Sequence, residues 1–218
     1  METRKGMYLC ASIALALCVY SPVFAANTLF SGTLISEDGL SATGSWKNMA
    51  TVLTWSVVPE QYDGGSYWRY TYELTVPENA NGAGISHFIL QVSEEPPFSS
   101  TELVQLALNT GFELEGPTTI SAGHNGSPNL TRDIYGVKFD DLFEDDGNDR
   151  YLEISFLSRR NPMWGDFYAK GGQDNSTENA VPNTVAVPNH TFIPAPGAVL
   201  LAGLGTLTVG WLRRRRSL

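Results

Sequence analysis

The chain has 218 residues, 23 Asp and Glu against 14 Lys and Arg, a net charge of −9, and two cysteines. Residues 26–190 carry 22 of the acidic and 8 of the basic side chains, a net of −14. Nucleic acid is thereby excluded as a partner, because phosphate binding needs basic clusters. Both cysteines, Cys10 and Cys18, fall in the N-terminal apolar segment, so thiol catalysis and thiolate metal sites are excluded from the rest.

In chain order, Arg4 and Lys5 form a basic start. Tyr8 to Tyr20 is an apolar run, and Pro22 breaks it ahead of Val23-Phe24-Ala25. This is the pattern of a secretory signal peptide over residues 1–25, cleaved after Ala25. Leu17 before Cys18 is too bulky for lipoprotein processing. The next segment, 26–170, reads as one β domain. Trp68, Tyr70, Tyr72, Leu74 and Val76 alternate with Tyr67, Arg69, Thr71, Glu73 and Thr75, the period of a strand with one buried face. "HFILQVS" and "YLEISFLS" repeat the pattern, and "TLFSGTLIS", "TVLTWSVV" and "DIYGVKF" are short and β-branched or aromatic. Gly-containing turns such as Asp63-Gly64-Gly65 and Asp146-Gly147-Asn148 separate them. The expected fold is mainly β: a single antiparallel β-sandwich, jelly-roll-like. One short helix is expected in "SSTELVQLALN", capped by Ser99 or Ser100. Residues 171–192, rich in Asn, Ser, Thr, Gly and Pro, read as a flexible linker whose end supplies at most an edge strand at Thr184 to Val187.

Three groups of residues carry candidate chemistry. Asp140, Asp141, Glu144, Asp145, Asp146 and Asp149 fall within ten residues. Such a loop has the oxygen ligands that calcium takes. It is equally a plain hairpin turn about Asp146-Gly147, and the EF-hand spacing fails at Leu142. Among the aromatic residues, the Trp68/Tyr70/Tyr72 stripe is expected in the core, while Tyr67 and Arg69 on the opposite face are candidate glycan contacts together with Trp164. The alternative for Trp164 and Asp166 is a buried ring beside a carboxylate that satisfies a loop. His87, His124 and His190 lack metal-ligand spacing, and neither a nucleophile elbow nor a Walker loop occurs. His87 is expected on the polar face of its strand, opposite Glu73. The body is read as not an enzyme; a polysaccharide hydrolase would need two carboxylates across a cleft.

The chain ends on Ile193-Pro194-Ala195-Pro196-Gly197, an uncharged stretch of 17 residues from Pro196 to Leu212, and Arg213-Arg214-Arg215-Arg216. The length is at the short end for a membrane span, and the basic block stays on the cytoplasmic side. The terminal arginines argue against a GPI signal. Residues 193–218 resemble the tripartite PEP-CTERM sorting signal of Gram-negative bacteria, with Ala195 where that family usually has Glu. "GISHFILQVS", "DIYGVKFD" and "RRNPMWGDFYAKGG" are similar to a recurrent body type among such proteins. The resemblance implies a substrate of the membrane protease exosortase, cut near Pro194, Ala195 and Pro196 and oriented by Arg213, Arg214, Arg215 and Arg216. It implies a protein first anchored in the inner membrane, then released to the cell surface or matrix, with extracellular polysaccharide or biofilm as its setting. A structural or adhesive role is expected, the alternative being a carbohydrate-binding module with or without calcium.

Overall fold

The computed structural model describes residues 30–47, 51–77, 84–124, 126–143, 150–172 and 174–192. The signal-peptide segment 1–25 and the tail 193–218 therefore lie outside the described residues. No helix among the described residues is long and apolar enough to cross a membrane.

Among the described residues thirteen strands form in chain order: β1 (Phe30–Ile35), β2 (Leu40–Ala42), β3 (Val52–Tyr62), β4 (Gly65–Thr75), β5 (His87–Gln91), β6 (Val104–Leu108), β7 (Glu113–Ile120), β8 (Ile134–Asp140), β9 (Tyr151–Ser158), β10 (Arg160–Gly165), β11 (Phe167–Gly171), β12 (Asn175–Asn179) and β13 (Val185–Phe192). They make a five-stranded sheet β1-β3-β4-β9-β6, a six-stranded sheet β2-β12-β11-β5-β8-β7, and a ribbon β10-β13. Every strand pair is antiparallel. The protein is mainly β, as its alternating patterns require.

The period-two pattern decides which face is buried. Leu53, Trp55 and Val57 of β3, Tyr70, Tyr72 and Leu74 of β4, and Leu152, Ile154 and Phe156 of β9 all point inward. They meet Phe88 and Leu90 of β5, Val137 and Phe139 of β8, and Phe167 and Ala169 of β11 in one core. Tyr70 stacks on Phe156 at 5.2 Å and Tyr72 reaches Phe88 of the other sheet at 6.1 Å. The two sheets thus form a sandwich.

The ribbon closes one side of it. Val185, Ala186 and Val187 are fully buried, and each valine contributes about 1.5–3 kcal/mol by leaving water. The Tyr70 and Tyr72 hydroxyls donate to the carbonyls of Arg160 and Ala186 at 2.8 and 2.7 Å, which ties both ribbon strands to β4.

Residues 171–192 are therefore not a linker. β12 sits between β11 and β2, with all five residues buried, and β13 lines the core. The polar composition that suggests a solvated spacer serves the interior instead. Asn179 Oδ1 accepts from Phe167 N–H at 3.2 Å, and its Nδ2 donates to Asp166 at 2.6 Å and to the Val181 carbonyl at 2.7 Å. Asn175 Oδ1 accepts from the N–H and hydroxyl of Ser45 at 2.7 and 2.8 Å. Buried polar groups satisfied in this way cost little; unsatisfied, each costs about 1–3 kcal/mol. Strand β13 extends to Phe192.

The expected helix at 99–109 is also corrected. Its capping signal is real: Glu102 Oε1 accepts from Ser99 N–H at 3.0 Å at the head of a 3-10 turn over Ser100–Glu102. The chain then leaves the helix to pair as β6 with β9, with Gln105 at a positive φ of 51° and a register shift between Val104 and Ala107. Sheet pairing supplies the main-chain partners that a lone short helix would have to supply itself.

Arg160 fastens this corner. It is 2% exposed, with its guanidinium bidentate to Glu102 at 2.6 and 2.8 Å and bonded to Ser93 Oγ and the carbonyls of Pro96 and Pro97. Burial alone would raise the Glu102 carboxyl, but the bonds from Arg160 and Ser99 hold it below its ordinary range.

Two outcomes follow. Arg160→Gln should lower unfolding free energy by about 1.5–3 kcal/mol in urea titration, because it removes the charge-assisted bonds that the buried guanidinium makes to Glu102; a loss below about 0.5 kcal/mol would contradict this. Ending the chain at Lys170 rather than Phe192 should abolish cooperative unfolding in circular dichroism.

Candidate functional site

The ribbon leaves one large ring exposed. Trp164 of β10 is 48% exposed, and Met163 beside it is 42% exposed. The Trp164 ring packs on Phe30 at 5.8 Å, and Phe30 meets Trp68 edge to face at 6.4 Å. The Trp68 Nε1–H donates to Asn161 Oδ1 at 3.3 Å, which holds that indole against β10. The result is an aromatic ridge with Trp164 outermost. It lies where the start of β1, the middle of β4 and β10 converge. Trp164 is a projecting ring and not a buried one. Asp166, two residues on, is buried and satisfies a loop: it accepts from Asn179 and from Asn183 N–H, each at 2.6 Å. Phe30 and Asn161 are members of the ridge that periodicity alone does not single out.

The other two candidate glycan contacts are placed differently. Tyr67 is only 8% exposed, covered by Arg159, whose guanidinium lies 4.9 Å above the ring, and by Tyr62. Arg69 is committed to a bidentate pair with Glu60 at 2.5 and 2.7 Å and also reaches Gln105 and Ser155. The Arg69 guanidinium holds the Glu60 carboxyl below its ordinary range. These contacts link β3, β4, β6 and β9 across the outer face of one sheet. The three candidates do not come together: Trp164 projects, Tyr67 is covered and Arg69 is paired. Trp46, Trp55, Tyr70 and Tyr72 are core residues.

Of the acidic loop, Glu144, Asp145, Asp146 and Asp149 lie outside the described residues. Asp140 and Asp141 are described. Asp140 is held by Lys138, which also pairs with Glu115 at 3.3 Å. Burial would raise the Asp140 carboxyl, yet Lys138 outweighs it and keeps it below the ordinary carboxylate value. This oxygen pair already has a cation. Among the described residues, no three His, Asp or Glu side chains stand together as metal donors.

His87 is not at the surface opposite Glu73. Glu73 faces Glu153 and Thr54 in the five-stranded sheet, whereas His87 belongs to the six-stranded one and is 5% exposed. Residues 126–133 fold over it, with Leu130 packed on Ile89, Ile134 and Tyr168. Ser127 Oγ lies 3.4 Å from His87 Nε2 and Asp140 Oδ1 3.9 Å from Nδ1. The order is that of a nucleophile, base and carboxylate relay. The geometry does not serve one: Ser127 is 2% exposed and Asp140 is turned to Lys138. The arrangement fastens the loop, together with Lys170 on the Gly126 carbonyl at 3.1 Å and Thr131 on Glu178 at 2.6 Å.

Burial, with help from Lys138 and Lys170 and against the pull of Asp140, lowers the His87 pKa to about 4. In the unfolded chain the imidazole titrates near its usual value of about 6.5. The unfolded state therefore takes the proton first as pH falls, and stability drops between those two values. The full drop is about 3 kcal/mol, and none arises above pH about 6.5. Denaturant unfolding at several pH values should show this decline between pH about 6.5 and 4.5, and His87→Asn should flatten it. Equal slopes in both proteins would contradict the assignment.

No family model, curated protein or solved structure matches this chain.

Proposed function

We propose that this protein is an exported exosortase substrate of the PEP-CTERM type. Its jelly-roll-like sandwich would be delivered by the N-terminal signal and held transiently in the inner membrane by the C-terminal tail. After release it would serve a structural or adhesive role in extracellular polysaccharide or biofilm at the cell surface. The observation that carries this reading is the order of the last 26 residues: Pro194-Ala195-Pro196, an uncharged span to Leu212, and Arg213 to Arg216. The folded body adds a supporting detail. β13 ends at Phe192, so three residues separate the sandwich from Pro196. On this reading the body rides close to the membrane until it is released.

Deleting residues 193–218 tests the sorting step. Cell fractionation should find the full chain first in the inner membrane and then outside the cell, and the deletion variant in neither place. Identical distributions would refute the proposal.

A second reading, a carbohydrate-binding module, is favoured by the projection of Trp164. Indole faces stack on the apolar faces of sugars, and a ring held by Phe30 loses little entropy on binding. On this reading Trp164→Ala should reduce co-sedimentation of the protein with the host polysaccharide severalfold. A further loss on chelation would implicate calcium at Asp140 to Asp149. Unchanged retention of Trp164→Ala would remove the ridge from consideration.

A further inference from the structure

Among the described residues, the two larger sheets have four edges between them, and three of the four are blunted. β2 has only three residues. β7 contains Pro117, which has no N–H to offer, and a register shift between Glu115 and Thr118. β6 carries the left-handed Gln105 and its own register shift. These are the devices by which sheets refuse further strands. β1 has none of them. Its six residues, Phe-Ser-Gly-Thr-Leu-Ile, run in unbroken register along β3 with no proline and no charge.

One hydrogen bond fixes which main-chain groups of β1 face outward. Ser36 N–H donates to the Thr51 carbonyl, so Ser36 and every second residue before it are bonded to β3. Ser31, Thr33 and Ile35 then point their N–H and C=O away from the sheet. Ile35 spends both groups on Asp38, at 3.0 and 2.9 Å. Among the described residues, Ser31 and Thr33 have no main-chain partner on that side. An open edge and an exposed apolar ring adjoin: Trp164 rests on Phe30, the first residue of β1.

We propose that β1 is a homodimer edge, on which a second copy of this chain pairs antiparallel through its own β1, centred on Gly32. Parity selects that centre. Outward residues must face outward residues, so Ser31 meets Thr33 of the other copy and the reverse. Centring on Thr33 instead would require Ile35, whose groups are already used. Gly32 then faces Gly32 at the narrow, non-bonded position, where the two strands come closest. Glycine is required there for a second reason: a Cβ would fall 2.2 Å from the Trp55 ring. The facing side chains also match in kind, Phe30 with Leu34 and Ser31 with Thr33. Charge narrows the choice of partner surface. Bodies carrying −14 each repel, and residues 30–36 and 161–165 form an uncharged strip on which two copies can approach. Pairing would join two five-stranded sheets beside the exposed Trp164 ring.

The test is sedimentation velocity of the full chain in detergent at tens of micromolar, beside two variants. Thr33→Pro removes an outward N–H that β3 does not use. Ser31→Glu with Thr33→Glu sets like charges directly opposite one another across the joint while keeping every N–H. A dimer for the unchanged chain, with dissociation raised at least about tenfold in both variants, is the expected result. A monomeric unchanged chain would overturn the proposal. So would dimers that persist in the doubly charged variant, since the contact would then lie elsewhere in the chain.

Discussion

A polar strand threaded through the middle of a sheet must bring its own hydrogen-bond partners, and the fold depends on how β12 does this. Asn179 binds the main chain of β11 through Oδ1, while Nδ2 holds Asp166 and the Val181 carbonyl. Asp166 in turn binds Asn183, and its main chain exchanges bonds with Gln91 of β5: Asp166 N–H donates to the Gln91 amide oxygen and the Gln91 N–H to the Asp166 carbonyl. The chain is thereby turned between β12 and β13 so that Val185 to Val187 enter the core. Without that turn the ribbon has no second strand. β10 would then have no partner, and Phe30 and Trp164 would lose the surface on which they are set.

The same constraint organises the periphery. Because the ribbon closes one side of the sandwich, Arg160 at its head is buried and ties the 93–102 loop down through Glu102. Because β11 and β5 are covered on their outer face by residues 126–133, His87 is enclosed and kept neutral between Lys138, Lys170 and Asp140. Neither residue acts as a surface site. Among the described residues, the accessible features include the exposed Trp164 ring on Phe30 and the unblunted edge of β1, in a body of net negative charge.

The strands with clean alternation were legible in the sequence, because burial of one face writes itself into every second residue: β4 and β9 are of this kind, whereas β5 is buried on both faces. The core placement of Tyr70 and Tyr72 followed from the same rule. Residues 171–192 were not legible, since Asn, Ser and Thr read alike whether they bind water or a buried main chain; only the tertiary partners distinguish the two. The 99–109 segment carries a true capping box, yet three residues of helix cannot outweigh a waiting sheet edge. His87 was misplaced because alternation reports two faces of a strand but not that a distant loop covers the polar one. Trp164 projects while Tyr67 is covered, and the sequence does not separate the two: the Arg159 that covers Tyr67 is 92 positions away.

The polar segment after β11 is integral to the fold. Amide hydrogen exchange measures it directly. Ser176 to Asn179 and Val185 to Val187 should exchange as slowly as the core of β4 and β5, because their opening requires global unfolding. Exchange of these amides within seconds, while β4 and β5 remain protected, would show a solvated tether and contradict the account.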